Sequence, residues 1–437
     1  MKNSLNLDNY WMPFTANQLF KENPRLLVES SGMYYTSHDD RNILDGVAGL
    51  WCCNVGHCHP TVVSAIREQV GKLDYSTIFN MAHPKIFELA EKVSSLTPEG
   101  LDRIFFGNSG SEAVETAMKV VLGYHALRGE PNRTKFIGRE KGYHGVNFGG
   151  TSVGGIPLNK DLFGSLFSDV DLIPHTWNPA YMAFSKGVPS WGGHLADILE
   201  EKLLLHDPST VAAVIIEPVT GSGGVIVPPE GYLKKIRDIC DKYNILLIFD
   251  EVITGFGRLG HSFAAERFQV RPDIITMAKG LTSGVIPMSA VAFRNDIHQE
   301  FMSASPDSIE LFHGYTYSGH PVASAAALAV LEVYEEEDLF NRALSLETLF
   351  EDTLHSLKGI NDSVLDIRNI GLMGAIHFND NKGPANATSM KVFQECYDQG
   401  LLLRSSADYL VISPALIVQE EQILKIGETL KSVINKL

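Results

Sequence analysis

Apolar residues run along this chain in two rhythms. Through the middle, unbroken apolar runs alternate with amphipathic ones. VAAVIIEPV (211–219) is continuous, as in a strand covered on both faces. Residues 230–244 follow, with Leu233, Ile236, Ile239, Cys240 and Tyr243 at helical spacing. ILLIFDEV (245–252) and DIITMAK (273–279) are two further buried strands. Strand, helix, strand in that order is a βαβ unit and predicts an α/β fold with a mainly parallel sheet. Beyond a boundary near residue 320 the rhythm changes. An alanine-rich helix (322–334) leads to GLMGAIHF (371–378), a helix over 390–400, LLLRSS, LVISPALIV and a closing amphipathic helix. Mixed without strict alternation, these elements predict a smaller α+β domain.

In open parallel sheets ligands bind beyond the carboxyl ends of the strands. Glu217, Asp250 and Lys279 each stand at such an end. After Asp250 comes GFGRLG (255–260), a literal G-x-G-x-x-G. A dinucleotide loop needs its glycines directly after the strand and a helix opening inside the motif. Here Asp250–Thr254 intervene and no long periodic helix begins, so the glycines read as loop punctuation. Asp250 and Val252, two apart, share a strand face. A carboxylate beside a branched apolar side chain suits a flat heteroaromatic ring: one pairs with a ring nitrogen, the other packs on the ring. Alone, Asp250 would more simply cap a turn, and Lys279 would reach for solvent. Together they match pyridoxal phosphate, which needs a lysine for its aldehyde and an acid for its pyridinium nitrogen.

A phosphate cradle completes the set. FFGNSGSE (105–112) ends a strand and opens a helix with Ala113, Val114, Ala117, Met118 and Val121 on its buried face. Ser109, Gly110 and Ser111 offer backbone N–H groups and hydroxyls at that helix end, an anion site without the Gly-Lys-Ser/Thr of a nucleotide loop. KGYHG sets Tyr143 and His144 between glycines, and an aromatic there can stack on a ring.

Composition narrows the classes further. The 437 residues are 44% hydrophobic and 20% charged, with a net charge of −16 that argues against nucleic acid. MKNSLNLDNYWMPF lacks the apolar core of a secretory signal, and no run has the length of a membrane span. Five cysteines in a chain this long do not form a disulfide framework, so a cytoplasmic location is expected. The Cys52, Cys53, His57, Cys58, His59 cluster lacks zinc spacing and a second ligand pair, so no metal is expected.

Taken in order, FGNSGSEA, GYHG, IIEPV, LIFDEVITGFGRLG, MAKG and HGYTYSGHP resemble the class III aminotransferases, pyridoxal 5'-phosphate enzymes of the type I aminotransferase fold. WMPFTANQLF, GLWCCNVGHCHP and GYHGVN look most like the ω-amino acid:pyruvate (β-alanine:pyruvate) branch. The resemblance implies that Lys279 bonds the cofactor aldehyde and then moves protons, while Asp250 keeps the pyridine nitrogen protonated. It implies cofactor contacts by Ser109, Gly110, Ser111, Tyr143, His144, Glu217 and Val252, and by Thr316 across a homodimer interface, within a dimer or a tetramer. Arg404 would fork onto a substrate carboxylate, with Trp51, Leu50 and Phe14 around it. Three regions follow: 1–58, an N-terminal segment belonging with the small domain and the site entrance; 59–320, the large cofactor domain; and 321–437, the C-terminal α+β domain.

One departure bears on substrate. Several branches carry a glutamate after Glu-Pro that pairs with the arginine, where this chain has Gly221-Ser222-Gly223-Gly224. That favours pyruvate over 2-oxoglutarate as the keto-acid acceptor. The donor stays open between β-alanine, taurine, γ-aminobutyrate, diamines and simple amines. An aminomutase or decarboxylase on the same scaffold, and a non-catalytic binder, are the rivals.

Overall fold

The computed structural model describes residues 5–164, 166–303, 307–379 and 386–437. Its centre is a seven-stranded sheet, ordered Arg103–Gly107, Ser289–Phe293, Ile274–Met277, Leu246–Asp250, Val211–Ile216, Lys135–Arg139, Val170–Ile173. Pairing is parallel throughout except around Ser289–Phe293, which runs antiparallel to both neighbours. Six strands therefore point the same way and finish at the same edge. The three strands expected from unbroken apolar runs are wholly buried, which is why those runs show no alternation.

Helices cover the faces. Tyr232–Lys242 buries Leu233, Ile236, Ile239 and Cys240, and Gly110–Leu127 buries Ala113, Val114, Ala117, Met118 and Val121. Pro321–Glu336 is buried along most of its length, which accounts for its alanines: small side chains let it pack closely against Pro60–Lys72 and Pro84–Leu96.

A second, antiparallel sheet joins Val364–Ile370, Met373–Phe378, Tyr409–Ile412 and Arg404–Ser406. A third takes Leu27–Ser31, Tyr34–Ser37 and Asn42–Asp45 from the N-terminal part, and Leu401–Leu402 pairs parallel with Asn42–Asp45. The two ends of the chain are thus woven together.

All three expected strands stop short, at Ile216, Asp250 and Met277, and the second bears on the site. The strand ends at Asp250, and Val252 lies in a turn. The cause is local: the Val252 N–H donates back to Asp250 Oδ1 at 3.2 Å, an Asx-type closure that leaves the extended conformation. GFGRLG is a run of turns with Gly257 at φ 87°. A Cβ there would fall 2.3 Å from Phe340 and 2.7 Å from Leu416, so the glycine admits the C-terminal region. Arg258, fully buried, hydrogen-bonds Asn54 Oδ1 at 2.7 Å and the carbonyls of Leu372 and Pro414. No helix among the described residues is long and apolar enough to cross a membrane.

Candidate active site

The common edge of the parallel strands carries the charged groups. A cavity of about 160 Å³ opens there, lined by Gly110, Ser111, Tyr143, His144, Gly145, Glu217, Asp250, Val252, Ile253, Ala278 and Lys279. Each stands at or just past a strand end, and the residues run from position 110 to 279.

Asp250 is held on one wall. His144 Nδ1 donates to its Oδ2 at 2.7 Å, and the Thr276 hydroxyl donates to Oδ1 at 3.1 Å. His144 is fully buried and its Nε2 has no partner, so its described contact is the one that orients Asp250. Asp250 is 5% exposed and lines the cavity.

Glu217 is buried beside it and accepts the N–H of Tyr143 at 2.9 Å and of Gly221 at 2.8 Å. It thereby pins two loops at once. Burial pushes its carboxyl up, and the neighbouring Asp250 adds to the rise, against the pull of His144 and the two N–H groups.

The opposite end is the start of helix Gly110–Leu127. Ser109 caps it by accepting the Glu112 N–H at 3.2 Å. The first N–H groups of a helix have no partner within it and point outward with the positive end of the dipole. Ser111 Oγ accepts the Val146 N–H at 3.1 Å. The cradle is kept open by absent side chains. A Cβ on Gly110 would lie 3.1 Å from a Val252 methyl, and one on Gly145 would lie 2.4 Å from Ser111 Oγ.

Lys279 forms the third wall. Its backbone φ is 41°, a left-handed value that a non-glycine residue adopts under constraint. Burial pushes its amine down to about 8, with Cys52, Glu217 and Asp250 pulling the other way. The ammonium lies 5.0 Å from the centre of the Trp51 ring. The Arg404 guanidinium lies 5.5 Å from the same ring, and its Nε is without a partner. Burial depresses Arg404 and Tyr143 offsets this in part, while burial raises the Tyr143 phenol. The Trp51 ring therefore meets both the cavity lysine and the arginine.

The structure thus gathers Gly110, Ser111, Tyr143, His144, Glu217, Asp250, Val252 and Lys279 around one cavity, with Ser109 at its rim and Trp51 and Arg404 beyond Lys279. It does not bring in Thr316, Leu50 or Phe14. Thr316 is exposed, and its carbonyl accepts the Tyr75 hydroxyl at 3.0 Å. Leu50 is 51% and Phe14 72% exposed, and neither lines the cavity. Thr276 escaped the sequence reading, and so did the bond that His144 makes. Thr276 was hidden inside an apolar run, where a lone hydroxyl is the available signal. His144 was placed in the loop, but its bond to Asp250 spans 106 positions.

The family model "aminotransferase class-III" matches residues 17–434. The chain belongs to the class III aminotransferases. Among its relatives is an ω-aminotransferase of Caulobacter vibrioides, 52% identical over 99% of this chain and 98% of that one. A β-alanine–pyruvate aminotransferase of Pseudomonas aeruginosa is 44% identical over 100% and 97% of the two chains. The crystal structure of an amine transaminase from an uncultivated Pseudomonas species, in a PLP-bound form, superposes with a TM-score of 0.90 at 34% identity and covers 100% of both chains. This class III aminotransferase accordingly has the α/β fold of the PLP transaminases.

Proposed function

We propose that the protein moves an amino group from a β-alanine-like ω-amino acid, or an amine, to pyruvate, using pyridoxal 5'-phosphate held in the cavity between Asp250 and the helix start at Gly110. The observation that carries this reading is the opposition of three groups across one small cavity: a fixed carboxylate, a helix N-terminus kept bare by glycine, and an amine of depressed pKa. Each matches one functional group of the cofactor. Bound there, it supplies an aldehyde for the amino group and a protonated ring that takes up electrons when a neighbouring C–H bond breaks.

The chain's own residues do the rest. Asp250, oriented by His144 and Thr276, holds a proton on the ring nitrogen. Gly110 and Ser111, next to the capping Ser109, receive the phosphate. Val252 and Tyr143 bound the ring's faces, and Glu217 keeps Tyr143 in place, with lone pairs left for the ring hydroxyl. Lys279 would bond the cofactor aldehyde and, once free, would hold and move the proton at the substrate carbon. Arg404, half-buried with no carboxylate partner among the described residues, receives the carboxylate of pyruvate as a fork. The loop Gly221–Gly224 brings no acid to compete for it, which is the reason for favouring pyruvate. The names carried by the Caulobacter and Pseudomonas relatives support the same donor class.

The reading extends to a homodimer in which Thr316 of one subunit reaches the phosphate held by the other. The surface around it is apolar and open: Phe312 is 88% and Tyr317 60% exposed. The division at 58/59 and 320/321 belongs to the same reading.

The test is the visible absorption of the cofactor-loaded protein. β-Alanine should bleach the band of the lysine-bound cofactor and pyruvate should restore it. A band indifferent to β-alanine would remove this donor class, and one not restored by pyruvate would remove the acceptor. A second outcome concerns Arg404→Ala. It should lower kcat/KM for pyruvate by about 10²-fold, the worth of a charge-assisted fork, while leaving the half-reaction with an amine lacking a carboxylate within about 3-fold. Equal losses in both would unseat Arg404 from this role.

A further inference from the structure

Cys52 and Cys53 follow Trp51 directly, and the activity proposed above gives them no task. Their sulfurs lie 3.8 Å apart and both residues are half-buried. The space they fill is left by two glycines. A Cβ on Gly284 would stand 2.9 Å from Cys52 Sγ and 3.2 Å from Cys53 Sγ; one on Gly49 would stand 3.1 Å from Cys53 Sγ and 3.4 Å from Cys52 Sγ.

The two thiols are unlike. The hydrogen bond shared with Cys53 is the main reason that Cys52 is pulled down, with the Lys279 ammonium helping. The same bond pushes Cys53 up. Cys52 is thus the thiol of the pair biased toward the thiolate, the nucleophilic form. The other cysteines differ. Cys240 and Cys396 are buried, and burial pushes both up to about 12. Cys58 is exposed, 3.5 Å from Ser30 Oγ.

We propose that Cys52 and Cys53 are a reversible oxidation site, in which a peroxide converts the pair to a disulfide between adjacent residues and switches off the neighbouring catalytic pocket. In the first step the Cys52 thiolate attacks one peroxide oxygen. The O–O bond breaks, an S–O bond forms, and the leaving hydroxide takes a proton to become water. In the second, Cys53 attacks the oxidised Cys52 sulfur. The S–O bond breaks, the S–S bond forms, and the departing hydroxide leaves as water with the Cys53 proton. Two thiols and one hydrogen peroxide give one disulfide and two waters.

Reversibility follows from the covalent frame. Neighbouring Cα atoms are about 3.8 Å apart, closer than the roughly 4.4–6.8 Å of ordinary disulfides, so the bond is strained and thiol reductants open it readily. Coupling to catalysis follows from position. To bond, the sulfurs must close from 3.8 Å to about 2.05 Å. Trp51, the next residue, sits at φ 58° under both Lys279 and Arg404. Oxidation also removes a thiol whose ionised form would pull the Lys279 amine up. Only this effect on turnover rests on the proposed role of Lys279; the bond itself does not.

The experiment uses the full-length, cofactor-loaded protein carrying Cys58→Ser, so that tryptic peptide 42–67 holds no other thiol. The protein is treated with hydrogen peroxide, alkylated, digested and weighed, and turnover is followed before and after dithiothreitol. The expected result is a peptide lighter by two hydrogens, unalkylated, with turnover lowered about tenfold or more by the displaced ring and regained with dithiothreitol. With Cys53→Ser added, peroxide should instead leave a dimedone-reactive Cys52 and no such peptide. Two free, alkylatable thiols in peptide 42–67 after peroxide would overturn the site, and a closed disulfide with unchanged turnover would overturn the switch. Because the mass is read independently of turnover, a protein with no transaminase activity would still report on the bond.

Discussion

Lys279→Ala is expected to lower turnover by at least about 10⁴-fold, the upper range for removing a positioned proton carrier, while the protein still takes up cofactor without a covalent link. The two halves of this outcome have separate causes. The phosphate cradle at Gly110–Ser111 and the carboxylate of Asp250 do not depend on the lysine, so binding survives. Nothing else lining the cavity replaces the amine: its other titratable members, Tyr143, His144, Glu217 and Asp250, are buried or half-buried and fixed by the fold. Rapid-quench turnover together with borohydride labelling checks it, since only a lysine-bound cofactor is trapped by borohydride. Normal turnover in the variant would end the proposed mechanism.

The depressed amine has a pH signature of its own. Lys279 is pushed from 10.5 to about 8 by burial, so capture of the aldehyde by cofactor-free protein should speed up as pH rises through about 8. The same shift acts on folding. With fewer protons bound in the native state than in the unfolded chain between about 8 and 10.5, native stability gains as pH rises across that window, and Lys279→Ala removes this gain.

Asp250→Asn is expected to lower turnover by about 10²–10³-fold, the usual loss for one preorganised electrostatic group. The change keeps shape and so spares the fold, but an amide cannot hold a proton on the ring nitrogen by charge. A cofactor methylated at that nitrogen, and so permanently positive, should recover part of the loss in Asp250→Asn and none in Lys279→Ala. Steady-state rates with the two cofactors measure this. Equal rates for Asp250→Asn and the unaltered protein would mean that the carboxylate serves only the turn at Val252.

Much of this site is legible in the sequence because its groups mark the ends of locally patterned segments. An unbroken apolar run closing on Asp250, or on Met-Ala-Lys279, announces strand and chemistry together. The helix at Gly110 shows itself through its capping serine and its buried periodicity. What stays hidden is whatever depends on pairs distant in sequence. The His144–Asp250 bond leaves no local pattern, nor does the union of Asn42–Asp45 with Leu401–Leu402. The reversal of Ser289–Phe293 is invisible because an apolar strand reads alike in either direction. Val252 was placed by strand alternation, yet reaches the cavity because Asp250 closes a turn on it. In the sequence the glycines of GFGRLG read as punctuation; in the fold Gly257 is the clearance that Phe340 and Leu416 need.

Arg258, between those glycines, has a wider consequence. A guanidinium buried without a carboxylate partner among the described residues, its hydrogen bonds shared between Asn54, Leu372 and Pro414, acts as a rivet through the N-terminal segment, the large sheet region and the C-terminal region. Parting any of these would leave a bare cation in an apolar seam. Opening the molecule like a jaw along this seam should therefore cost far more than moving the side chains and loops that line the cavity.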